Sequence, residues 1–102
     1  MKLTKDAQKL LAYSYKEYLQ NRKQGKDKKR AKYISNELMS KNFPKLSSSD
    51  YLCTVTELCQ SGGGKRYADG SFELSDEAIV FMENKFSDDL KGVIGFISQL
   101  IP

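Results

Sequence analysis

The segment Asn21-Arg22-Lys23-Gln24-Gly25-Lys26-Asp27-Lys28-Lys29-Arg30-Ala31-Lys32 carries seven basic side chains and one acid. Cations at that density suit a polyanion, and a nucleic-acid phosphate backbone is the obvious one. If Asp27 caps a helix, Lys28, Lys29 and Arg30 fall in its first turn, facing unbonded N–H groups and the positive end of the helix dipole. That placement costs stability until an anion joins it, when backbone donors and cations converge on one ligand. The bland reading is a solvated basic loop.

A second stretch could read bases. Ser47-Ser48-Ser49-Asp50 has the form of a helix cap, and the helix it opens runs to about Ser61. Leu52, Val55, Leu58 and Cys59 give that helix one apolar face, leaving Ser49, Asp50, Cys53, Thr56, Glu57 and Gln60 outward. Ser49, Thr56 and Gln60 could meet base edges in a major groove, and Glu57 could accept from a cytosine amine. The helix holds no Lys or Arg, and phosphate neutralisation supplies most nucleic-acid affinity. Phosphate contacts would therefore come from Arg22, Lys23, Lys26, Lys28, Lys29, Arg30, Lys41, Lys45, Lys65 and Arg66. An acidic helix with Asp50 and Glu57 on its surface would equally suit a protein partner.

Other chemistries are thinly represented. The chain has no His, which excludes imidazole bases, Ser/His triads and His-ligated metals. Cys53 and Cys59 are six residues apart, about 240° around a helix, too divergent for a local disulfide or a two-thiolate clip. Free thiols fit a reducing, cytoplasmic setting. Gly62-Gly63-Gly64-Lys65 superficially resembles a phosphate loop, but Cys59 and Arg66 occupy the positions where a Walker A motif has Gly and Ser/Thr. A helix stop and a flexible hinge explain the glycines better. The carboxylate pairs Asp76-Glu77 and Asp88-Asp89 stand at helix starts, where acids stabilise the dipole. No catalytic residue, metal ligand or cofactor is expected, so the chain is read as non-enzymatic.

The elements that must position these residues follow from periodicity. Leu3, Ala7, Leu10, Leu11, Ser14, Tyr15, Tyr18 and Leu19 form one stripe of a helix over about 4–21, with Thr4 as its cap. Tyr15 and Tyr18 on that stripe, with Tyr13 beside it, read as core or interface residues before they read as a stacking platform. A second helix is expected from Asp27 to about Lys41, with Ala31, Ile34 and Leu38 inside, ending at Asn42 before Phe43-Pro44. Beyond the glycines the pattern changes to period two. Asp69-Gly70 signals a two-residue hairpin turn, which would set Tyr67 opposite Phe72 and Arg66 opposite Glu73. Ser75-Asp76-Glu77-Ala78 caps a fourth helix with Ala78, Ile79, Met82 and Phe86 inside. A last helix near 87–100 carries Leu90, Val93, Ile94, Ile97 and Ile101 on its inner stripe. Phe96 falls off that stripe and is left for an interface, for which a homodimer is the simplest partner.

Three helices, a hairpin and further helices give a mainly α fold with a small β-hairpin, in winged helix-turn-helix order. Residues 48–61 take the recognition-helix position and 65–74 the wing. The stretch Tyr67-Ala68-Asp69-Gly70-Ser71-Phe72-Glu73-Leu74-Ser75-Asp76-Glu77-Ala78 resembles the wing-to-helix junction of many winged-helix proteins. With Leu90-Lys91-Gly92 and Ile101-Pro102, it is similar to YjcQ-type small winged-helix proteins of Gram-positive bacteria and their phages. That resemblance covers about the C-terminal 40 residues and implies a fold; it brings no chemistry with it.

The 102 residues suit a single domain of four to five helices. Hydrophobic residues make up 39%, enough for a core, and the longest nearly apolar run, Gly92 to Ile97, falls well short of a membrane span. Residues 1–46 hold 13 Lys/Arg against 4 Asp/Glu, and residues 47–102 hold 4 against 9, so the overall +4 conceals a dipolar molecule. The combined expectation is a small DNA-binding transcriptional regulator on double-stranded DNA; the alternative is a winged-helix module that binds protein through its acidic third helix.

Overall fold

The computed structural model describes residues 2–42, 47–86 and 89–100. Helix α1 (Lys5–Lys23) is capped by Thr4, whose Oγ1 accepts from the Ala7 amide at 3.3 Å. Ala7, Leu10, Leu11, Ser14, Tyr15, Tyr18 and Leu19 are buried along it, which is the stripe its spacing predicts. The helix ends two residues later than expected. Gly25, at φ +88°, lets its amide and that of Lys26 turn back to Arg22 O and Asn21 O. Those two bonds satisfy carbonyls that the last turn would leave open.

The predicted helix over 27–41 is three elements. A single turn, α2 (Lys28–Ala31), is followed by β1 (Tyr33–Ile34) and then α3 (Asn36–Asn42). Lys32 O accepts from the Leu74 amide at 2.9 Å, so the backbone leaves the helical ladder for a sheet. Ser35 Oγ accepts from the Leu38 amide and starts the helix again. Ala31 and Ile34 are both fully buried, as the helical reading required, but from different elements.

Helix α4 (Ser48–Gln60) begins at Ser47, whose Oγ accepts from the Asp50 amide. It ends in the same motif as α1, with Gly62 at φ +88° and the amides of Gly62 and Gly63 bonded to Cys59 O and Leu58 O. Strands β2 (Gly64–Arg66) and β3 (Phe72–Leu74) form the wing, and the antiparallel sheet runs β1-β3-β2. The wing glycines are packed rather than hinge-like: a side chain at Gly64 would strike the Phe72 ring and Glu73 O.

The hairpin register differs from the expected one by a residue. Lys65 pairs with Glu73 and Arg66 with Phe72. The turn spans three residues, Ala68-Asp69-Gly70: Tyr67 N bonds Ser71 O, Gly70 N bonds Tyr67 O, and Asp69 Oδ1 accepts from the Ser71 amide. Asp69 therefore closes the turn with its side chain, a local bond that competes with the two-residue form.

Ser75 caps α5 (Asp76–Phe86) as expected, accepting from the Ala78 amide and donating to Gly62 O at 2.6 Å. Helix α6 (Leu90–Leu100) closes the described chain against α1. The core is Leu10, Leu11, Tyr15, Ile34, Val55, Leu58, Phe72, Leu74, Met82, Val93 and Ile97, gathered around α1. The molecule is mainly helical, with six helical segments among the described residues and a small three-stranded sheet; apart from the single turn α2 between α1 and β1, its helix–strand–helix–helix–hairpin order is compatible with a winged helix-turn-helix.

Candidate nucleic-acid interface

On α4, Thr54, Val55 and Leu58 face the core. Ser49, Cys53, Thr56 and Gln60 are exposed along one stripe, with Asp50 at its N-terminal end. Leu52, expected inside, is 46% exposed and lies on this surface. Glu57 does not join it. Its two carboxylate oxygens accept from Thr4 N at 2.8 Å and Thr4 Oγ1 at 2.7 Å, tying α4 to the start of α1. The expected base contact by Glu57 is therefore replaced by a structural one, and the exposed stripe is left with one of its two acids.

The wing stands beside α4. Arg66 is exposed, and its charge reaches two groups on that helix, Tyr51 and Cys59. Burial pushes both the Tyr51 phenol and the Cys59 thiol upward, against the opposing pull of the Arg66 guanidinium. The expected pairing of Arg66 with Glu73 does not form, because the register puts Glu73 opposite Lys65. Glu73 instead accepts from the Tyr67 hydroxyl at 2.8 Å, which raises the Tyr67 pKa, and Lys65 Nζ lies 5.5 Å from the Tyr67 ring centre.

The residue 22–32 cations form a separate group. Arg22, Lys23, Lys26, Lys28, Lys29 and Arg30 are all exposed. Lys28 and Lys32 both reach Asp76 Oδ1 at 3.3 Å, and their hydrogen bonds hold the Asp76 carboxyl below the usual carboxylate range. Arg30 lies 3.9 Å from Asp27, and Lys26 donates to Asn21 Oδ1. The helix start expected here forms, with Asp27 capping α2 by accepting from the Arg30 amide and Lys28, Lys29 and Arg30 in its single turn, but the helix goes no further and Asp76 balances Lys28. This group meets β1 and β3 at the end of the sheet away from the wing turn, since Lys32 adjoins Leu74 while Arg66 adjoins Phe72. Lys41 is exposed on α3, and Lys45 lies outside the described residues.

Other expectations resolve locally. The Gly62 and Gly63 amides are spent on α4 carbonyls, which leaves no phosphate cradle there. Tyr15 and Tyr18 are buried and stacked on each other. Phe96, expected to be left over, packs its ring 5.2 Å from that of Phe86, with Lys85 Nζ 4.4 Å above it, while Ile94 is 45% exposed. Ile101 lies outside the described residues. Among the described residues no metal-ligating cluster forms, and no helix is long and apolar enough to cross a membrane.

Periodicity alone does not single out Tyr33 and Tyr67. Both lie on the outward face of the sheet, with ring centres 6.0 Å apart, and they line a cleft of about 660 Å³ with Asp27, Lys29, Arg30 and Glu73. The spacing absorbs Tyr33 into a helix and Tyr67 into a cross-strand pair. Ser35 caps α3, but Leu38 stands where a capping box would place Glu or Gln, so the local sequence does not release Tyr33 from the helix. No protein-family model, curated protein or solved structure matches this chain.

Proposed function

We propose that the chain is a non-enzymatic winged-helix DNA-binding protein, a small transcriptional regulator whose α4 enters the major groove. The observation that carries this reading is the exposed stripe Ser49, Cys53, Thr56 and Gln60, uncharged and lying beside a wing whose Arg66 is not consumed by Glu73. Hydroxyl and amide groups at helical spacing can meet base edges, while Lys65 and Arg66 would neutralise phosphates flanking the groove. Arg22, Lys23 and Lys26 would add longer-range attraction, and Lys28, already held by Asp76, would add little. A second copy of the chain would double these contacts; with Phe96 packed against Phe86, the more exposed Ile94 is the α6 residue such a pairing would use.

Leu52 favours a second reading. A large apolar side chain exposed in the middle of a helix without Lys or Arg also suits a protein partner. Duplex binding across a salt series separates the two. DNA binding predicts affinity that falls with salt, and Lys65→Gln with Arg66→Gln should flatten the slope by roughly 0.9 for each phosphate that is no longer neutralised. An absence of salt-sensitive duplex binding at low salt would reject this reading in favour of the protein-binding module.

A further inference from the structure

The cleft between α2 and the outward face of the sheet is unrelated to the α4 stripe, and its composition is specific. Tyr33 is 43% exposed, and its hydroxyl donates to Asp69 Oδ2 at 3.3 Å. Tyr67 is tilted 48° against it, and its own hydroxyl is held by Glu73. Both rings are thus anchored at their polar ends while aromatic surface stays open. Lys29 and Arg30 stand on the α2 side of the same cleft, and its volume of about 660 Å³ lies within the range of small-ligand sites.

We propose that this cleft binds a nucleotide, its base stacked on Tyr33 and its phosphate on the side chains of Lys29 and Arg30. The charges fix the orientation. Glu73, on β3, would repel a phosphate but can accept from an exocyclic base amine through whichever carboxylate oxygen Tyr67 leaves open. At the other end, Arg30 sits 3.9 Å from Asp27 and is largely exposed, so it can turn to a phosphate without breaking a buried bond. Stacking tolerates any base because every base presents a π-face, and Lys65 beside Tyr67 adds to the positive rim. The same chemistry is offered by a free mononucleotide and by one unit of a single strand.

The test titrates the full chain with AMP, adenosine, IMP and a short oligo(dA), by calorimetry and by amide chemical shifts. AMP should bind and shift the amides of Tyr33, Tyr67 and Glu73, with adenosine weaker for want of a phosphate and IMP weaker for want of the amine. Tyr33→Ala should weaken AMP roughly tenfold or more, whereas Tyr33→Phe, which keeps the ring, should retain it. Lys29→Gln with Arg30→Gln should abolish the advantage of AMP over adenosine. Much tighter binding of oligo(dA) assigns the site to a strand, and parity with AMP assigns it to the free nucleotide; both support the site. Millimolar AMP that leaves these amides unmoved overturns it, as does AMP binding that survives Tyr33→Ala in a folded protein. Neither result touches α4, so duplex binding can stand or fall separately.

Discussion

Glu57 shows how one side chain can leave a functional surface for a structural task. Two donors of Thr4, the amide and the hydroxyl, converge on its carboxylate, and Thr4 in turn caps α1. Glu57→Ala therefore removes the partner of two bonds across 53 residues of chain, a destabilisation of about 1–2 kcal/mol measurable by urea denaturation. Glu57→Gln keeps one carbonyl acceptor and should cost less. Neither change should alter non-specific duplex affinity, because the carboxylate points at α1. Thr56→Ala and Gln60→Ala should do the reverse, lowering the preference for specific over random duplex while leaving stability nearly intact. Stronger non-specific binding by Glu57→Gln at unchanged stability would mean that the carboxylate faces phosphate after all.

Among the elements, the α2–β1–α3 segment depends most on distant partners. Its backbone bonds run to β3, and its cations Lys28 and Lys32 meet Asp76 at the start of α5. Asp76 is held below its ordinary value of 3.8 in the folded protein, chiefly by the hydrogen bonds from Lys32 and Lys28. A depressed carboxyl stabilises the fold at pH above that ordinary value, and the contribution disappears as pH falls through the folded pKa. Asp76→Asn should lower the Tm at pH 7, and the gap from wild type should close as pH falls below 3.8 and through the depressed folded pKa. A gap that persists in acid would show that the carboxylate's charge is not the source. This segment also marks the limit of what is legible in the sequence. The α1 stripe, the Ser47 and Ser75 caps and the stop at Gly62 follow from local rules and stand where expected. The break after Ala31 and the hairpin register do not, because they are decided by Leu74, Phe72 and Asp69. Spacing of three between Ala31 and Ile34 fits a helix as well as it fits a turn leading into a strand. The α4 stripe is readable from its spacing except at Leu52 and Glu57, whose placements depend on α4's tertiary surroundings. The Tyr33–Tyr67 cleft is not, since β1 itself has no local signature.

Across the whole molecule, α1 is the shared core and the remaining faces are divided among distinct surfaces. The α4 stripe with Arg66 forms one, and the tyrosine cleft with Lys29 and Arg30 another. A further surface belongs to α6, whose inner direction is rotated from the one its sequence suggests. Val93 and Ile97 are buried, and at about 100° per residue Phe96 and Ile94 flank their midline symmetrically, so packing decides between them: Phe96 turns to the Phe86 ring and Ile94 is left 45% exposed. Phe96 lines a small pocket with Leu3, Gln8, Leu11, Phe81, Met82 and Lys85, and its ring meets Phe86. Phe96→Asp should therefore destabilise the monomer, by about 2 kcal/mol or more, since a charge replaces packed aromatic surface. Ile94→Asp should leave thermal stability almost unchanged, because the side chain it replaces is 45% exposed. Sedimentation then decides the oligomeric role of α6. A dimer that Ile94→Asp converts into a folded monomer, with weaker binding to a two-half-site duplex than to a single half-site, places the pairing on this helix. A wild-type chain that sediments as a monomer removes the homodimer, and DNA recognition would then rest on a single α4 and a single wing.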